Sequence, residues 1–365
     1  MEEKTKPQAR TRDLGKGSIP KLLAQLAIPV VVAQIVNLLY NIVDRIYIGH
    51  IPGIGAAALT GVGLFAPILM LINAFAMLSG SGGAPRAAIF MGKKDNETAE
   101  KIMANCFSLI LIFAIGLTIL FSIFAPKLLI LFGASDATLP YAVEYARIYI
   151  FGSIFVLIVL GMNLFITTQG FSKISMMTTL IGAVINVILD PIFIFGLFGM
   201  PKLGVTGAAV ATVIGQIVAG IMAAAINQLK NHEVNINMLG FRPSGSIIGM
   251  IYGIGVPSIV MQAIGSIMNY GMNVILISFS STATAVFGVY FKLQSFVFMP
   301  AFGFNNGVIP VIAYNYGAGS RDRVVKTMKH SVVYIMGLLL VGLVVFQTIP
   351  EPLLRLFEAS DNMIA

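Results

Sequence analysis

Two carboxylates stand where the surrounding residues avoid charge. Residues 185–196 read INVILDPIFIFG, and Asp190 is the only charged residue between Lys173 and Lys202. Asp44 sits in a comparable run, YNIVDRIYIGH at 40–50. An acid at the centre of an apolar helix costs about 2.5–3.5 kcal/mol on insertion scales, so its default reading is functional. The polar residues around both recur at helical spacing. Gln34, Asn37, Asn41 and Asp44 are 3, 4 and 3 residues apart and share one helix face, with Tyr40 one turn before Asp44. Asn186 lies four residues before Asp190, and Thr212 and Gln216 are one turn apart in the next apolar run. Two carboxylates with amide and hydroxyl oxygens suit a small hard cation or a proton. The competing reading is structural: Asp44 paired with Arg45 at an interface, and Asp190 capping or kinking its helix at Pro191.

The elements that must position these residues follow from composition. The chain has 365 residues, 57% hydrophobic and 10% charged, with a mean hydropathy of +0.91. A soluble domain carries about 25% charged residues. Runs of about 20 apolar residues recur, which indicates an all-α polytopic membrane protein and not an outer-membrane barrel with its short alternating strands. Nine spans are expected: 22–47, 57–79, 102–125, 141–168, 174–197, 203–227, 246–278, 283–306 and 324–349. The first apolar run is too long for a signal-peptide core and is expected to stay as the first span.

Basic residues orient the spans. One set of helix ends and loops holds Lys4, Lys6, Arg10, Arg12, Lys16, Lys21, Arg86, Lys93, Lys94, Lys101, Lys173, Lys230, Arg242, Arg321, Arg323, Lys326 and Lys329. The other holds only Arg45, Lys127, Arg147, Lys202 and Arg355. The positive-inside bias places the N-terminus in the cytoplasm. The net charge of +8 is then a topology signal, and no basic domain points to nucleic acid. On this topology the Asp44 and Asp190 helices run the same way, and both acids fall at a similar depth in the outer half of the bilayer.

The two halves of the chain resemble each other. GSIPKLLAQLAIPVVVAQ at 17–34 echoes GSIIGMIYGIGVPSIVMQ at 245–262, aligning Pro29 with Pro257 and Gln34 with Gln262. PRAAIFMG at 85–92 echoes PVIAYNYG at 310–317, and LLILFGASD at 128–136 echoes LLRLFEASD at 353–361. Six spans separate equivalent points, so the repeats are parallel, related by a pseudo-two-fold along the membrane normal. The expected organisation is a basic cytoplasmic tail (1–21), a six-helix lobe (22–227), a cytoplasmic linker (228–245) and an incomplete second lobe of three helices (246–365), nine helices of an expected twelve. Proline bends a helix, which makes Pro29 a hinge candidate. The second half keeps a polar stripe at Gln262, Ser266, Asn269 and Asn273, but Met272 stands where Asp44 stands in the first. The ion site is therefore expected in the first half alone. Gln262, Asn269, Asn273 and Lys292, the one basic residue within a second-half span, are candidates for a second-lobe cavity.

Several chemistries are excluded. A single cysteine, Cys106, and three histidines offer no intrachain disulfide and no Cys/His metal site. No phosphate-binding G-x-x-x-x-G-K-[ST], H-E-x-x-H or G-x-S-x-G motif occurs, so neither ATP hydrolysis nor another enzyme role is expected. SGSGGAPR at 79–86 lacks the phosphate-loop spacing and is expected to mark a flexible helix end. An ion gradient remains as the energy source, with each charge worth about 2.3 kcal/mol per 100 mV.

YNIVDRIYIGH (40–50), NVILDPIFIFG (186–196) and KLQSFVFMPAFGFNNGVIP (292–310) resemble the multidrug and toxic compound extrusion (MATE) family. The likeness runs from about Gly17 to the end and is greatest to the branch related to bacterial DNA-damage-inducible and staphylococcal multidrug members. It implies two six-helix lobes facing a central cavity and a cation or proton site in the first lobe. The family's acids match Asp44 and Asp190, its fifth-helix asparagine Asn186, and its first-helix tyrosine and proline Tyr40 and Pro29. Its sixth-helix threonine matches Thr212, with Thr206 the alternative. The second-lobe acid of another branch is absent. The implied protein is a secondary active exporter of organic, mostly cationic amphipathic compounds. It uses H⁺ or Na⁺ as coupling ion and no other cofactor or metal, and it is a monomer in the inner membrane of a prokaryote. The alternatives are a lipid-linked saccharide flippase of the same superfamily and a passive channel.

Overall fold

The structure, a computed structural model, describes residues 14–229 and 243–356. Most of the predicted basic tail and linker, and the end of the third repeat block, lie outside these residues. The described residues form helices joined by short turns and loops, with no strand among them. α1 (Ile19–Gly49), α2 (Gly55–Leu64), α3 (Ala66–Gly92), α4 (Asn96–Leu131), α5 (Leu139–Thr168), α6 (Ser172–Phe195) and α7 (Val205–Leu229) form a first group. α8 (Gly245–Ile277), α9 (Ser281–Gly317), α10 (Arg321–Thr348) and the short α11 (Pro350–Leu356) form a second. Among the described residues eight helical segments are long and apolar enough to cross a membrane, and α8 adds the shorter apolar stretch Gly245–Met261. In hydrocarbon every backbone polar group must be satisfied internally, and long helices achieve that.

Two details differ from the sequence expectations. The predicted second span, 57–79, is a broken helix: α2 ends at Leu64, Phe65 caps it, and α3 continues to Gly92. The glycine-rich 79–86 stretch is consequently buried within α3 and is not a helix end. Small residues there let neighbouring backbones approach. An added Cβ at Gly83 would meet the Cys106 sulfur, and one at Gly82 would lie 2.5 Å from the Ile251 carbonyl of α8.

α5 is the most buried span and α10 the least. α5 packs on α7, α4 and α3, while α1 packs on α6 and α9. Pro29 does not break α1, which is helical from Ile19 to Gly49. α6 likewise runs through Pro191 and stops at Gly196, whose φ of 76° is the left-handed cap that glycine adopts without strain.

The two groups meet closely at the end where the basic residues cluster. Added Cβ atoms at Gly303 and Gly307 of α9 would press on the Val31 and Ala27 backbone of α1. Those at Gly92 of α3 and Gly317 of α9 would strike the Tyr314 and Ile89 carbonyls. Gly255 of α8 faces the Leu78 carbonyl in the same way. Toward the opposite end α1 and α8 carry exposed apolar side chains, including Leu39, Ile46, Ile264 and Ile275.

Candidate ion and cargo site

α1, α6 and α7 bring the predicted polar residues together. Gly182 of α6 and Gly215 of α7 are back to back: a Cβ on Gly215 would lie 2.6 Å from the Gly182 carbonyl. This close crossing sets Asn186 against Thr212. The Asn186 Nδ2 donates to Asp190 Oδ1 at 3.1 Å and to Thr212 Oγ1 at 3.1 Å. Thr212, and not Thr206, is therefore the threonine beside the asparagine. Asp190 is fully buried, Asn186 is 2% exposed and Asp44 is 7% exposed. The Asp44 and Asp190 carboxyl groups come within hydrogen-bonding reach of each other from neighbouring helices.

Three buried oxygens in this cluster have no hydrogen-bond partner: Asp44 Oδ1, Asn186 Oδ1 and Asp190 Oδ2. All three are acceptors. A buried acceptor without a donor costs about 1–3 kcal/mol, more when charged, so three together call for a cation or a proton. Asp44 is buried while Arg45 is exposed, and no ion pair links these two described residues. Asp190 accepts from a side chain and caps no helix.

A cavity of about 310 Å³ runs from this cluster toward the basic end, between α1, α3, α5, α6 and α7. Gln34, Asn37, Tyr40, Asn41, Asp44, Thr212 and Gln216 all line it, as the single-face spacing of α1 predicts. Pro29 is buried in α1 beside this wall and is not part of it. Asp44 and Thr212 reach the cavity, whereas Asp190 and Asn186 stand behind them. Tyr40 is within hydrogen-bonding reach of Gln216. Asp44 is the only charged residue among those lining the cavity. Gln262, Asn269, Asn273 and Lys292 belong to α8 and α9, but their side chains lie outside the described residues.

Sequence reasoning missed the far wall. Tyr145 and Tyr149 of α5 stack at 5.8 Å and line the cavity opposite α1, with the Tyr145 hydroxyl within reach of Thr212. Asn163 of α5 accepts from Thr178 Oγ1 at 2.9 Å and donates to Thr179 Oγ1 at 3.4 Å. The α6 residues that meet Asn163 did carry a signal: Ser175, Thr179, Gly182, Asn186 and Asp190 recur every three or four residues along one face of α6. Asn306 of α9 also lines the cavity, the one described residue of the second group to do so.

The family profile described as MatE matches residues 29–192 and 257–365. The chain belongs to the MatE family. It is accordingly a multi-pass membrane transporter, as the family's relatives are, and its fold is all-α. The multidrug export protein MepA of Staphylococcus haemolyticus is 26% identical over 349 residues, covering 96% of this chain and 76% of its own. The probable multidrug resistance protein YoeA of Bacillus subtilis is 25% identical and covers 92% of this chain and 73% of its own. A solved structure titled as the outward-facing conformation of a multidrug resistance MATE family transporter superposes with a TM-score of 0.89 at 25% identity, over 98% of this chain and 78% of the other.

Proposed function

We propose that this MatE-family protein is a secondary active exporter that exchanges inward-moving H⁺ or Na⁺ for organic, mostly cationic amphipathic compounds. The observation that carries the reading is the trio of buried, unpartnered acceptor oxygens on Asp44, Asn186 and Asp190. Two carboxylates in reach of each other at low dielectric repel strongly unless a positive charge lies between them. A proton or Na⁺ supplies that charge. Thr212 Oγ1 and the Asn186 amide oxygen complete an all-oxygen ligand set of the kind hard cations take. The cavity beside the cluster has apolar walls, many amide groups and one carboxylate, which suits amphipathic cations. An anionic pyrophosphate-linked lipid would call for arginines, and none lines the described cavity. Because Asp44 faces both the ion cluster and the cavity, loading of one is felt electrostatically by the other.

With the basic end in the cytoplasm, as the positive-inside bias favours, the crossings between the two helix groups close the cytoplasmic side. The bacterial relatives support an inner-membrane location, and we read the protein as a monomer with its N-terminus inside. The test is dye efflux from reconstituted vesicles under separately imposed pH and Na⁺ gradients. Efflux under one gradient, abolished by collapsing it, fits the reading. Gradient-independent leak of ions without exchange would instead indicate a channel.

A further inference from the structure

One residue of the second helix group grips the chain just before α1. Arg323, in the first turn of α10, donates from Nε to Asn315 Oδ1 at 2.9 Å. One terminal nitrogen donates to the Gly17 carbonyl at 3.0 Å. The other donates to the carbonyls of Leu14 at 3.3 Å and Lys16 at 3.4 Å. Asn315 of α9 is fully buried and donates to the same Leu14 carbonyl at 3.0 Å and to Val311 at 2.8 Å. The Leu14 side chain, 1% exposed, is packed with Leu22, Leu23 and Leu26 of α1 and with Val308 and Val311 of α9. Gly17 has a φ of 82°, a turn that glycine adopts freely, and the carbonyls of Leu14, Lys16 and Gly17 face the guanidinium.

We propose that Arg323 and Asn315 form a latch on residues 14–17 that holds the basic end of the molecule closed and releases when the cavity opens to that side. The proposal rests on reading the protein as an alternating exchanger. A guanidinium presents five donors in a rigid fan, enough for one side-chain and three backbone acceptors at once. Its partners among the described residues are a side-chain amide and backbone carbonyls, which carry no counter-charge. On release, the carbonyls and the guanidinium pass to water at the membrane surface, and no buried charge is left behind. That makes the contact strong while formed yet reversible, as a gate requires. The latch also lies at the same end as the glycine crossings, so its release loosens the chain before α1 from α9 and α10 where the two helix groups meet.

The test places a reporter, Val311→Cys, in a Cys106→Ser background and follows its labelling by a membrane-impermeant maleimide. Arg323→Ala is expected to speed labelling from the basic side by roughly tenfold, the scale of losing charge-assisted bonds. Arg323→Lys is expected to fall between, because an ammonium cannot span four acceptors. Independently, a Leu14→Cys/Val311→Cys pair bridged by a short thiol cross-linker is expected to stop efflux, with recovery on cleaving the bridge. Parental labelling rates in both Arg323 variants overturn the latch, and so does full efflux by the cross-linked protein. If Arg323→Ala does not yield folded protein, the cross-link decides alone. Faster labelling in a protein that moves no dye in its parental form supports the latch and defeats the exporter reading instead.

Discussion

Asp190→Asn separates function from structure most sharply. The substitution keeps the side-chain shape and removes one negative charge from the cluster in which Asp44 Oδ1, Asn186 Oδ1 and Asp190 Oδ2 lack donors. A unit charge about 4 Å from a bound cation contributes about 4 kcal/mol at an effective dielectric constant of about 20. Its loss weakens affinity for the coupling ion about a thousandfold. Folding should respond the other way. Asp190 is fully buried with one oxygen unpartnered, and removing an uncompensated buried charge is commonly neutral or stabilising. The expected result is therefore loss of gradient-driven dye efflux in reconstituted vesicles with a thermal midpoint equal to or above the parent's. Efflux within a few-fold of the parent would refute the coupling role. Loss of efflux together with a clearly lower midpoint would show that Asp190 serves the helix and not the ion.

Other outcomes follow from the same geometry. Thr212→Ala removes the hydroxyl that receives Asn186 Nδ2 and should weaken ion-driven efflux about tenfold, with Thr212→Ser restoring it. Gly215→Ala drives a Cβ to 2.6 Å from the Gly182 carbonyl; it should separate α6 from α7, cost about 1–3 kcal/mol in thermal or denaturant unfolding, and reproduce the Thr212→Ala transport defect. Asp95 caps α4, accepting from the Thr98 N–H at 3.0 Å, and the Thr98 hydroxyl together with that N–H holds its carboxyl below the usual carboxylate range. Its contribution is thus complete above the ordinary aspartate pKa and is lost as pH falls through the lowered value. Asp95→Asn should flatten that acid limb in a pH series of hydrogen exchange at the start of α4.

The first-helix half of the site was legible because one physical rule governs both levels. Helical period alone puts Gln34, Asn37, Asn41 and Asp44 on one face, and all four line the cavity. The Asn186–Asp190 pair was legible for the same reason and is a hydrogen bond in the structure. Tyr145, Tyr149 and Asn163 were not, because α5 is buried on several faces and its polar residues do not stand out against one apolar stripe. The glycine run at 79–86 misled, since glycine in a membrane helix signals close packing as often as a break. Arg323 gave no signal at all: its acceptors are backbone carbonyls some 300 residues earlier, and a carbonyl is common to every residue type.

Composition and spacing by themselves determined that this is a helical membrane protein, which residues share a face, and which acids were too costly to be incidental. Those are one-dimensional consequences of hydrophobicity and of 3.6 residues per turn. Only the tertiary structure decided that Asp44 meets Asp190, that Thr212 and not Thr206 completes the cluster, and that Asp44 alone presents a charge to the described cavity. Such facts depend on how closely helices from distant parts of the chain approach, as where Gly182 and Gly215 let α6 and α7 touch, and no one-dimensional pattern states which helices will be neighbours.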